Sequence, residues 1–539
     1  MPTDTEPANA LMLPAVIRLT SLHLPRSNLA ASLRVCSLWH KVLEPLLWET
    51  LILQNQPCNH IPRQPTPTLC LRNRHHIRHL VETGSNSLLK FLAFSVAPRP
   101  LCLTSIRVSL LSPEILMITQ QNTDTLTSFS CRSNRLRRGE ADQEAQALWY
   151  RQLFMILDMV PHLTNLAIGP AVLMDPPTTV FSKVARSLKT LELDRVKVAD
   201  RSWYDDSIQS SEALSTLEEF PKLEALVMVW NDLPPNCQLE LIRKAPKLKS
   251  LTWKRGTQLL VQSWLSSALP PPDSLTTLDV AHSHIEDGAM ARILTMIPHL
   301  TSLNVKSSPF GPQSCIQLLE RHAPNIAMLD VSDCPQVTSA MTIAFLSSMP
   351  SLLRFSSSRV DAGNIAKPFL HTLLGEAPSS LLVPSDGELP RSLEDRPWVC
   401  HGLVELEISI VGLCASENLI PTQTRCLVYE QLSRLERLEV LCLGEENEND
   451  SPLRPGNERL DLTLAHDLDK LSSLKRLRSL NIRNLKALMG DEEVDWLAHT
   501  WSRLEVIRGK LNCDLGTSEA RSLARRLKSK RPDILYYWE

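Results

Sequence analysis

The stretch "SLTTLDVAHSHIEDGAMARILTMIPHLTSLNV", from Ser274 to Val305, contains one structural repeat and the start of the next. Leu278 and Val280 are two residues apart, a spacing that places both side chains on one face of a β-strand. A helical stripe of apolar residues follows, formed by Met290, Ile293, Leu294 and Ile297. Proline then ends the helix, because it lacks an N–H and disfavours helical geometry in the residue before it. The stretch therefore predicts a strand, a loop and a helix that lead into a second strand.

This unit recurs along the chain with a regular period. The first aliphatic residue of each strand lies 25 to 27 residues after the previous one, at Leu223, Leu248, Leu275, Leu300, Ile326 and Leu352. One unit alone cannot bury its apolar face, whereas stacked units form a solenoid. We expect an α/β solenoid, curved, with parallel strands on the concave side and helices on the convex side.

The repeats resemble those of the leucine-rich repeat family, most closely at "LDVSDCPQVTS" (329–339). In that family an Asn or Cys after the strand hydrogen-bonds the neighbouring turn, a position held here by Asn231, Ser283, Ser308 and Cys334. Weaker units extend the resemblance over about residues 75 to 510. The resemblance implies a surface for binding other proteins.

The remaining patterns divide the rest of the 539 residues. We expect a disordered tail at 1–12, a helical segment at 13–52, a linker at 53–75 and the solenoid at 76–512. Insertions are expected near 356–401 and 444–470, the second a mobile loop because "GEENENDSPLRPGNE" is acidic and contains proline. Residues 513–539 are interpreted as a capping helix and an aromatic tail.

The segment "VCSLWHKVLEPLLWETL", from Val35 to Leu51, is more apolar than a surface helix needs to be. Its apolar residues cover two adjacent helical faces, so it requires burial on two sides. We expect Pro45 to end the helix, and Trp48 to close a small bundle containing Val35, Cys36 and Trp39. The remaining apolar face then meets either the first repeat or a second protein.

These residues resemble an F-box, which runs from Leu-Pro through a helix to Val-Cys-x-x-Trp and a Leu-Trp pair. A departure is Val16, where the family commonly has an acidic residue. The resemblance implies that the segment binds a Skp-type adaptor, which links it to a cullin, and that the solenoid binds a protein substrate for ubiquitination. The alternative is a non-catalytic scaffold in which the helices are only an end cap. The matching residues are Leu13, Pro14, Ile17, Leu29, Val35, Cys36, Trp39, Leu47 and Trp48.

Composition and motifs favour a non-enzymatic protein of the cytoplasm or nucleus, without cofactors. A formal net charge of -2 gives no global field for nucleic acid or membranes. The 13 cysteines lie mostly within apolar segments, which indicates reduced thiols. Cys58, His60, Cys70 and His75 match no familiar zinc spacing, so no metal is expected. There is no phosphate-binding glycine loop and no His-Glu-x-x-His, which leaves a hydrolase or transferase as a distant third reading.

Three polar clusters are interpreted as solvated loops. They are "HSHIED" (282–287), "RNRHHIRH" (72–79) and "CRSNRLRRGE" (131–140). The alternatives are a general base or metal site for the first, and a nucleic-acid contact or import signal for the other two.

Substrate binding is expected on the concave face of the solenoid, through outward-facing strand positions. Trp230 and Arg255 are the preferred anchors, because Trp and Arg are enriched at binding hot spots. The alternative is that Trp230 packs on the next strand and that Arg255 is only solvated. The full set of candidates is Trp230, Lys254, Arg255, Asp279, Asn304 and Asp330.

Overall fold

The computed structural model describes residues 14–21, 23–53, 65–83, 87–95, 101–132, 143–174, 177–199, 219–255, 272–366, 397–413, 421–444, 460–483, 485 and 487–537. The chain divides into two units, Met1–Leu248 and Lys249–Glu539. Each unit contains a run of parallel strands joined by loops and helices. Within the described ranges, no helix is long and apolar enough to cross a membrane.

The first unit begins with three helices and continues as a stack of strand–loop–helix repeats. Its helices are α1 Pro14–Ser21, α2 Arg26–Ser32, α3 Ser37–Trp48, α4 Pro67–Asn73, α5 Ser87–Phe94, α6 Pro113–Gln120, α7 Gln143–Met159, α8 Pro177–Ser182 and α9 Pro235–Arg243. Its strands are β1 Thr50–Leu53, β2 His79–Glu82, β3 Ser105–Val108, β4 Ser128–Cys131, β5 Asn165–Ile168, β6 Ala171–Leu173, β7 Thr190–Asp194, β8 Val196–Val198 and β9 Ala225–Val229. The parallel order is β1-β2-β3-β4-β5-β7-β9, and β6 pairs with β8 in a small second sheet.

The second unit repeats the same architecture. Its strands are β10 Ser250–Lys254, β11 Thr277–Asp279, β12 Ser302–Asn304, β13 Met328–Asp330, β14 Arg354–Asp361, β15 Glu405–Val411, β16 Val440–Cys442, β17 Ser479–Asn481, β18 Val506–Arg508 and β19 Leu535–Tyr537. Its helices are α10 Asp287–Met296, α11 Pro312–His322, α12 Ser339–Ser348, α13 Pro421–Ser433, α14 Asp491–Thr500 and α15 Thr517–Lys530. Each strand pairs in parallel with the next one in the chain, from β10 to β19.

The predicted repeat is confirmed at the level of strand, helix and core. Leu275, Leu278 and Val280 are fully buried, and each buried aliphatic side chain contributes about 1.5–3 kcal/mol through the hydrophobic effect. Thr277 and Asp279 point to the other face and stay half-exposed. The predicted helical stripe is also buried, comprising Met290, Ile293, Leu294 and Ile297. An all-parallel sheet with a helix after most strands is the solenoid that the repeat spacing predicts.

The family pattern implies that the polar residue after each strand links neighbouring repeats. Two of the four residues at this position do so. The Asn231 side chain accepts from the Val196 N–H at 2.8 Å and donates to the Leu193 carbonyl at 3.0 Å. The Cys334 thiol donates to the Val305 carbonyl of the preceding repeat at 3.0 Å. Ser308 donates to that same carbonyl, which lies in its own repeat, while the buried Ser283 hydroxyl has no hydrogen-bond partner in the described part of the chain.

A carboxylate connects two consecutive helices of the second unit. Asp287, the first residue of α10, accepts hydrogen bonds from the N–H groups of Gly311, Gln313 and Ser314 at 2.9–3.0 Å. These N–H groups belong to the start of α11, where a helix leaves its backbone donors without internal partners. A Cβ on Gly311 would lie 2.9 Å from the Asp287 carboxylate, so a larger residue at this position would displace that side chain. The interpretation of residues 282–287 as only a solvated loop is therefore wrong for Asp287.

The N-terminal region differs from the prediction in two ways. Pro45 does not end its helix, because α3 continues to Trp48 and contains the proline. The loss is limited to one backbone hydrogen bond and a local steric conflict, which the packing of the helix tolerates. The sheet begins at Thr50, where β1 pairs with β2, so the predicted solenoid start at residue 76 is too late.

Three further expectations concern insertions and tails. Residues 354–361 form β14 and residues 460–473 contain 3₁₀ turns at Leu464–His466 and Leu468–Ser473, so both insertions are shorter than predicted. Residues 367–396 of the first predicted insertion and 445–459 of the second, where the acidic loop is expected, lie outside the described residues, as does the tail expected at 1–12. At the C-terminus α15 stands where a capping helix is expected, but Leu535–Tyr537 is a strand on β18 and not a loose tail.

Candidate functional site

The three N-terminal helices form a small cluster around very few buried residues. Ile17 of α1 packs with Val42 and Leu43 of α3, and all three are at least nine-tenths buried. Because α2 ends at Ser32 and α3 starts at Ser37, Val35 and Cys36 lie in the link between two helices and not on the face of a single helix. The residues half-buried against this cluster are Leu29, Leu33, Leu38, Trp39 and Leu46.

Two large apolar side chains of this cluster remain in solvent. Val35, in the link before α3, is 64% exposed, and Leu19 of α1 is also 64% exposed. The expectation that Val35 packs inside the bundle is wrong, because the turn between α2 and α3 carries its side chain outward. The other residues of the F-box resemblance are distributed as follows: Ile17 buried, Pro14 exposed, Leu29, Cys36, Trp39, Leu47 and Trp48 half-buried, and Leu13 outside the described residues.

The helical cluster is joined to the first repeat on its other side. The Glu49 carbonyl, directly after α3, accepts hydrogen bonds from the Arg78 and His79 N–H groups at 2.8 and 2.9 Å. The neighbouring Arg74 is only 4% exposed and donates to the Ser95 carbonyl at 3.3 Å. Burial lowers the pKa of Arg74, which is therefore a structural residue and not part of a solvated loop.

One of the predicted substrate anchors lies in the first unit, in the turn at the carboxyl end of strand β9. Trp230 follows β9 in a left-handed backbone conformation, with φ of 57°, and its side chain is 42% exposed. Arg195 holds the equivalent position after β7, also left-handed, and its guanidinium lies 5.3 Å from the Trp230 ring centroid. This cation–π contact covers one face of the indole and fixes the ring beside the turn.

The second unit uses several of the predicted binding residues for its own backbone. The side chains of Asp279, Asn304 and Asp330 each accept a hydrogen bond from the N–H two residues ahead, at 3.0–3.1 Å. Asp279 also pairs with Lys254 at 3.1 Å. Arg255 is exposed and, like Trp230, adopts a left-handed conformation after its strand. The polar row is therefore partly consumed by local structure, which lowers its capacity for a partner.

Nucleophilic or metal-based chemistry finds little support in the described residues. No group of three or more His, Cys, Asp or Glu side chains among them could hold a metal. Most cysteines there are buried, and burial raises the pKa of Cys131, Cys237 and Cys400 to about 12. A thiol with such a pKa does not form the reactive thiolate at neutral pH. Of the four residues considered as zinc ligands from the sequence, Cys58 and His60 lie outside the described residues.

One polar cluster is missed by the sequence analysis. Arg425 of α13 pairs with Asp461 at 3.1 Å, and His466 reaches the same carboxylate at 2.6 Å. The Arg425 and Asp461 side chains are only 9% and 11% exposed. These residues are 36 positions apart with an insertion between them, so no local pattern in the sequence connects them.

Comparison with known proteins gives no family assignment. No protein-family model matches the chain, and no curated protein matches it. Among solved structures the chain is similar to an internalin from Listeria monocytogenes, with 13% sequence identity and a TM-score of 0.37. The match covers 70% of this chain and 81% of the internalin chain. At this level it carries no conclusion about function.

Proposed function

We propose that the protein is the substrate-recognition subunit of a Skp–cullin–F-box ubiquitin ligase. The three N-terminal helices bind the Skp-type adaptor, and the solenoid binds a protein that is then ubiquitinated and degraded by the proteasome. The subunit itself is non-catalytic and acts in the cytoplasm or nucleus. The observation that carries the proposal is the exposure of Val35 and Leu19 on a small cluster that is already joined to the solenoid.

The N-terminal helical cluster is in contact with the first repeat on one side, while Val35 and Leu19 remain in solvent. The Glu49 contacts occupy the side of the cluster that continues into the sheet. Fully burying an aliphatic side chain yields about 1.5–3 kcal/mol, so Val35 and Leu19, each 64% exposed, can supply part of the binding energy of an interface. A second protein therefore satisfies these side chains better than the first repeat, which leaves them in solvent.

The test is binding of the purified full chain to a Skp-type adaptor, measured by calorimetry. Val35→Asp places a charge in the proposed interface and is expected to weaken binding at least tenfold without changing the melting temperature. Leu353→Asp is the matched control, because Leu353 is also an exposed aliphatic side chain, at 45%, but lies in the second unit. Absence of adaptor binding by the wild-type chain refutes the proposal.

The alternative function is a non-catalytic repeat scaffold whose N-terminal helices are an end cap. The specific observation in its favour is the direct continuation of α3 into β1 through Glu49. Deletion of residues 14–48, which keeps β1, separates the two proposals. The end cap predicts loss of cooperative unfolding in the repeats, whereas the adaptor-binding segment predicts a solenoid that stays folded and no longer binds adaptor.

For the substrate, we propose the exposed strand faces of the two units, each taken by itself, as binding surfaces. Trp230 and Arg255 remain the candidate anchors, with Lys254, Asp279, Asn304 and Asp330 as secondary contacts. Support comes from the exposure of Trp230 and Arg255 at equivalent turns. Single alanine substitutions, measured by capture of substrate in cells with the proteasome inhibited, test this set. Equal capture by all variants argues against it.

A further inference from the structure

Three arginines stand at the same position of three consecutive repeats in the second unit. Arg437, Arg476 and Arg503 each come directly before the first buried leucine of their repeat. The pairing of Val440 with Ser479, and of Ser479 with Val506, places the three arginines on one row across the sheet. Neighbouring strands are about 4.8 Å apart, so the row brings three guanidinium groups onto one short stretch of surface.

In the adjacent row, formed by Glu439, Arg478 and Glu505, opposite charges lie side by side and pair with one another. Arg478 donates to the Glu505 carboxylate at 2.8 and 3.0 Å and lies 3.8 Å from the Glu439 carboxylate. Its charges alternate across the strands, which is the stable arrangement for directly opposed side chains. Arg437, Arg476 and Arg503 are all exposed, and their side chains make no ion pair or hydrogen bond within the part of the chain that is described.

Arg437, Arg476 and Arg503 lie in the turns three residues before β16, β17 and β18, where like charges on neighbouring repeats repel one another, so this row has no benefit for folding. The arginines are also confined to one region of the unit. The equivalent position in the five preceding repeats is occupied by Ser274, His299, Asn325, Ser351 and Gly402. The row is therefore a local surface feature and not a requirement of the repeat.

A cleft of about 400 Å³ opens beside this row, with Arg476 and Arg503 of the arginine row and Glu439, Arg478 and Glu505 of the adjacent row in its wall. It is lined mainly by Arg476, Arg478, Arg503, Glu505, Arg531 and Asp533. Arg531 is fixed at the end of the cleft, because it donates to the Asp533 carboxylate and to the Trp501 carbonyl. Among the described residues that line the cleft, Arg476 and Arg503 are thus the cationic groups without an ion pair, and the other charges are paired.

We propose that this arginine row binds an acidic segment of a partner protein, with Asp or Glu carboxylates on the guanidinium groups of Arg437, Arg476 and Arg503. An extended peptide places side chains i and i+2 on one face about 6.7 Å apart, a span that long arginine side chains can match across the row. Guanidinium groups bind carboxylates in a two-pronged geometry, which gives orientation as well as charge.

The neighbouring charges favour a peptide over a nucleic acid. Glu439, Glu505 and Asp533 would repel a continuous polyphosphate, whereas a peptide supplies N–H donors and basic side chains that these carboxylates accept. Among the described residues that line the cleft there is no aromatic side chain on which a base could stack. The inference deepens the proposed substrate-binding role of the solenoid and does not depend on adaptor binding.

The experiment is fluorescence anisotropy on the full-length protein with three labelled probes of equal length. The probes are a peptide with alternating Glu and Ser, the same peptide with Gln in place of Glu, and a single-stranded oligonucleotide. The test variant replaces Arg437, Arg476 and Arg503 by Gln. The control variant carries the same charge change at Arg292, Arg521 and Arg525, which are exposed arginines of the same unit.

The expected result is that the Glu peptide binds wild type and control equally, binds the test variant at least tenfold more weakly, and dissociates as salt is raised. The Gln peptide is expected to bind at least tenfold more weakly than the Glu peptide. Equal binding by test and control variants, or no detectable binding of the Glu peptide, overturns the proposal. Tighter binding of the oligonucleotide that is lost in the test variant assigns the row to nucleic acid and also overturns it. Loss of adaptor binding has no bearing on these outcomes.

Discussion

Replacing Asp287 tests whether carboxylate caps couple consecutive repeats. In Asp287→Ala, the N–H groups of Gly311 and Ser314 lose their acceptor. Both residues are buried, so water replaces the carboxylate poorly, and each unsatisfied donor costs about 1–1.5 kcal/mol. Gln313 is exposed and its N–H regains a water, so its loss is close to zero. The expected total is about 2–3 kcal/mol of local stability.

The assay is amide hydrogen exchange in the first turn of α11, because exchange reports local opening in a chain with two units. A loss of about 2–3 kcal/mol accelerates exchange there roughly 30- to 150-fold, since 1.36 kcal/mol is a factor of ten. Asp287→Asn retains one oxygen and is expected to lose about 1 kcal/mol. Asp273→Ala, at an exposed acid, is the control. If exchange at residues 311–315 in Asp287→Ala matches that in the control, the capping argument is refuted.

Three other predictions follow from burial and backbone geometry. Burial lowers the pKa of His322 below its ordinary 6.5, so the unfolded chain binds a proton that the folded chain excludes. Stability therefore falls as the pH drops below about 6.5. In His322→Gln, the urea-denaturation midpoint should change less between pH 7 and pH 5 than it does in the wild type. Burial raises the pKa of Cys237 to about 12, so mass-spectrometric mapping of iodoacetamide labelling should find the exposed Cys513 modified and Cys237 untouched until the protein unfolds. Pro45→Ala restores a helical N–H and is expected to slow hydrogen exchange in α3, by up to about 3 kcal/mol of local stability; unchanged exchange would mean that the proline fits its helix without cost.

The solenoid is predictable because its information is local and repeated. The spacing from Leu275 to Leu278 and Val280 specifies a strand with one buried face, and the same spacing recurs at about 26 residues. Each strand then has the same partner geometry, so the parallel order follows from chain order. Thr50 falls within the helical segment predicted at 13–52 because a single residue separates it from α3, and its pairing with β2 depends on a tertiary contact.

The candidate site is less predictable, because exposure depends on how elements pack. The pattern places Val35 with Trp39 on an apolar helical face, but the break between α2 and α3 turns Val35 into solvent. Asp287 lies in a polar stretch of sequence that is typical of a loop. Its role as a cap depends on the packing of α11 beside it, which the sequence does not show. Asp279 occupies an outward strand position as expected, yet its carboxylate folds back onto the Ala281 N–H. Sequence position identifies such surfaces without showing which side chains remain available.

The most direct test of the central claim is a hydrogen-exchange footprint of the full chain with and without a Skp-type adaptor. The proposed function predicts that exchange slows in residues 14–48, with the largest change around Val35 in the link between α2 and α3. The strands of the second unit should exchange at the same rate in both samples. The opposite result, a complex that protects the sheet and leaves residues 14–48 unchanged, or no complex at all, contradicts an adaptor-binding role for the N-terminal helices.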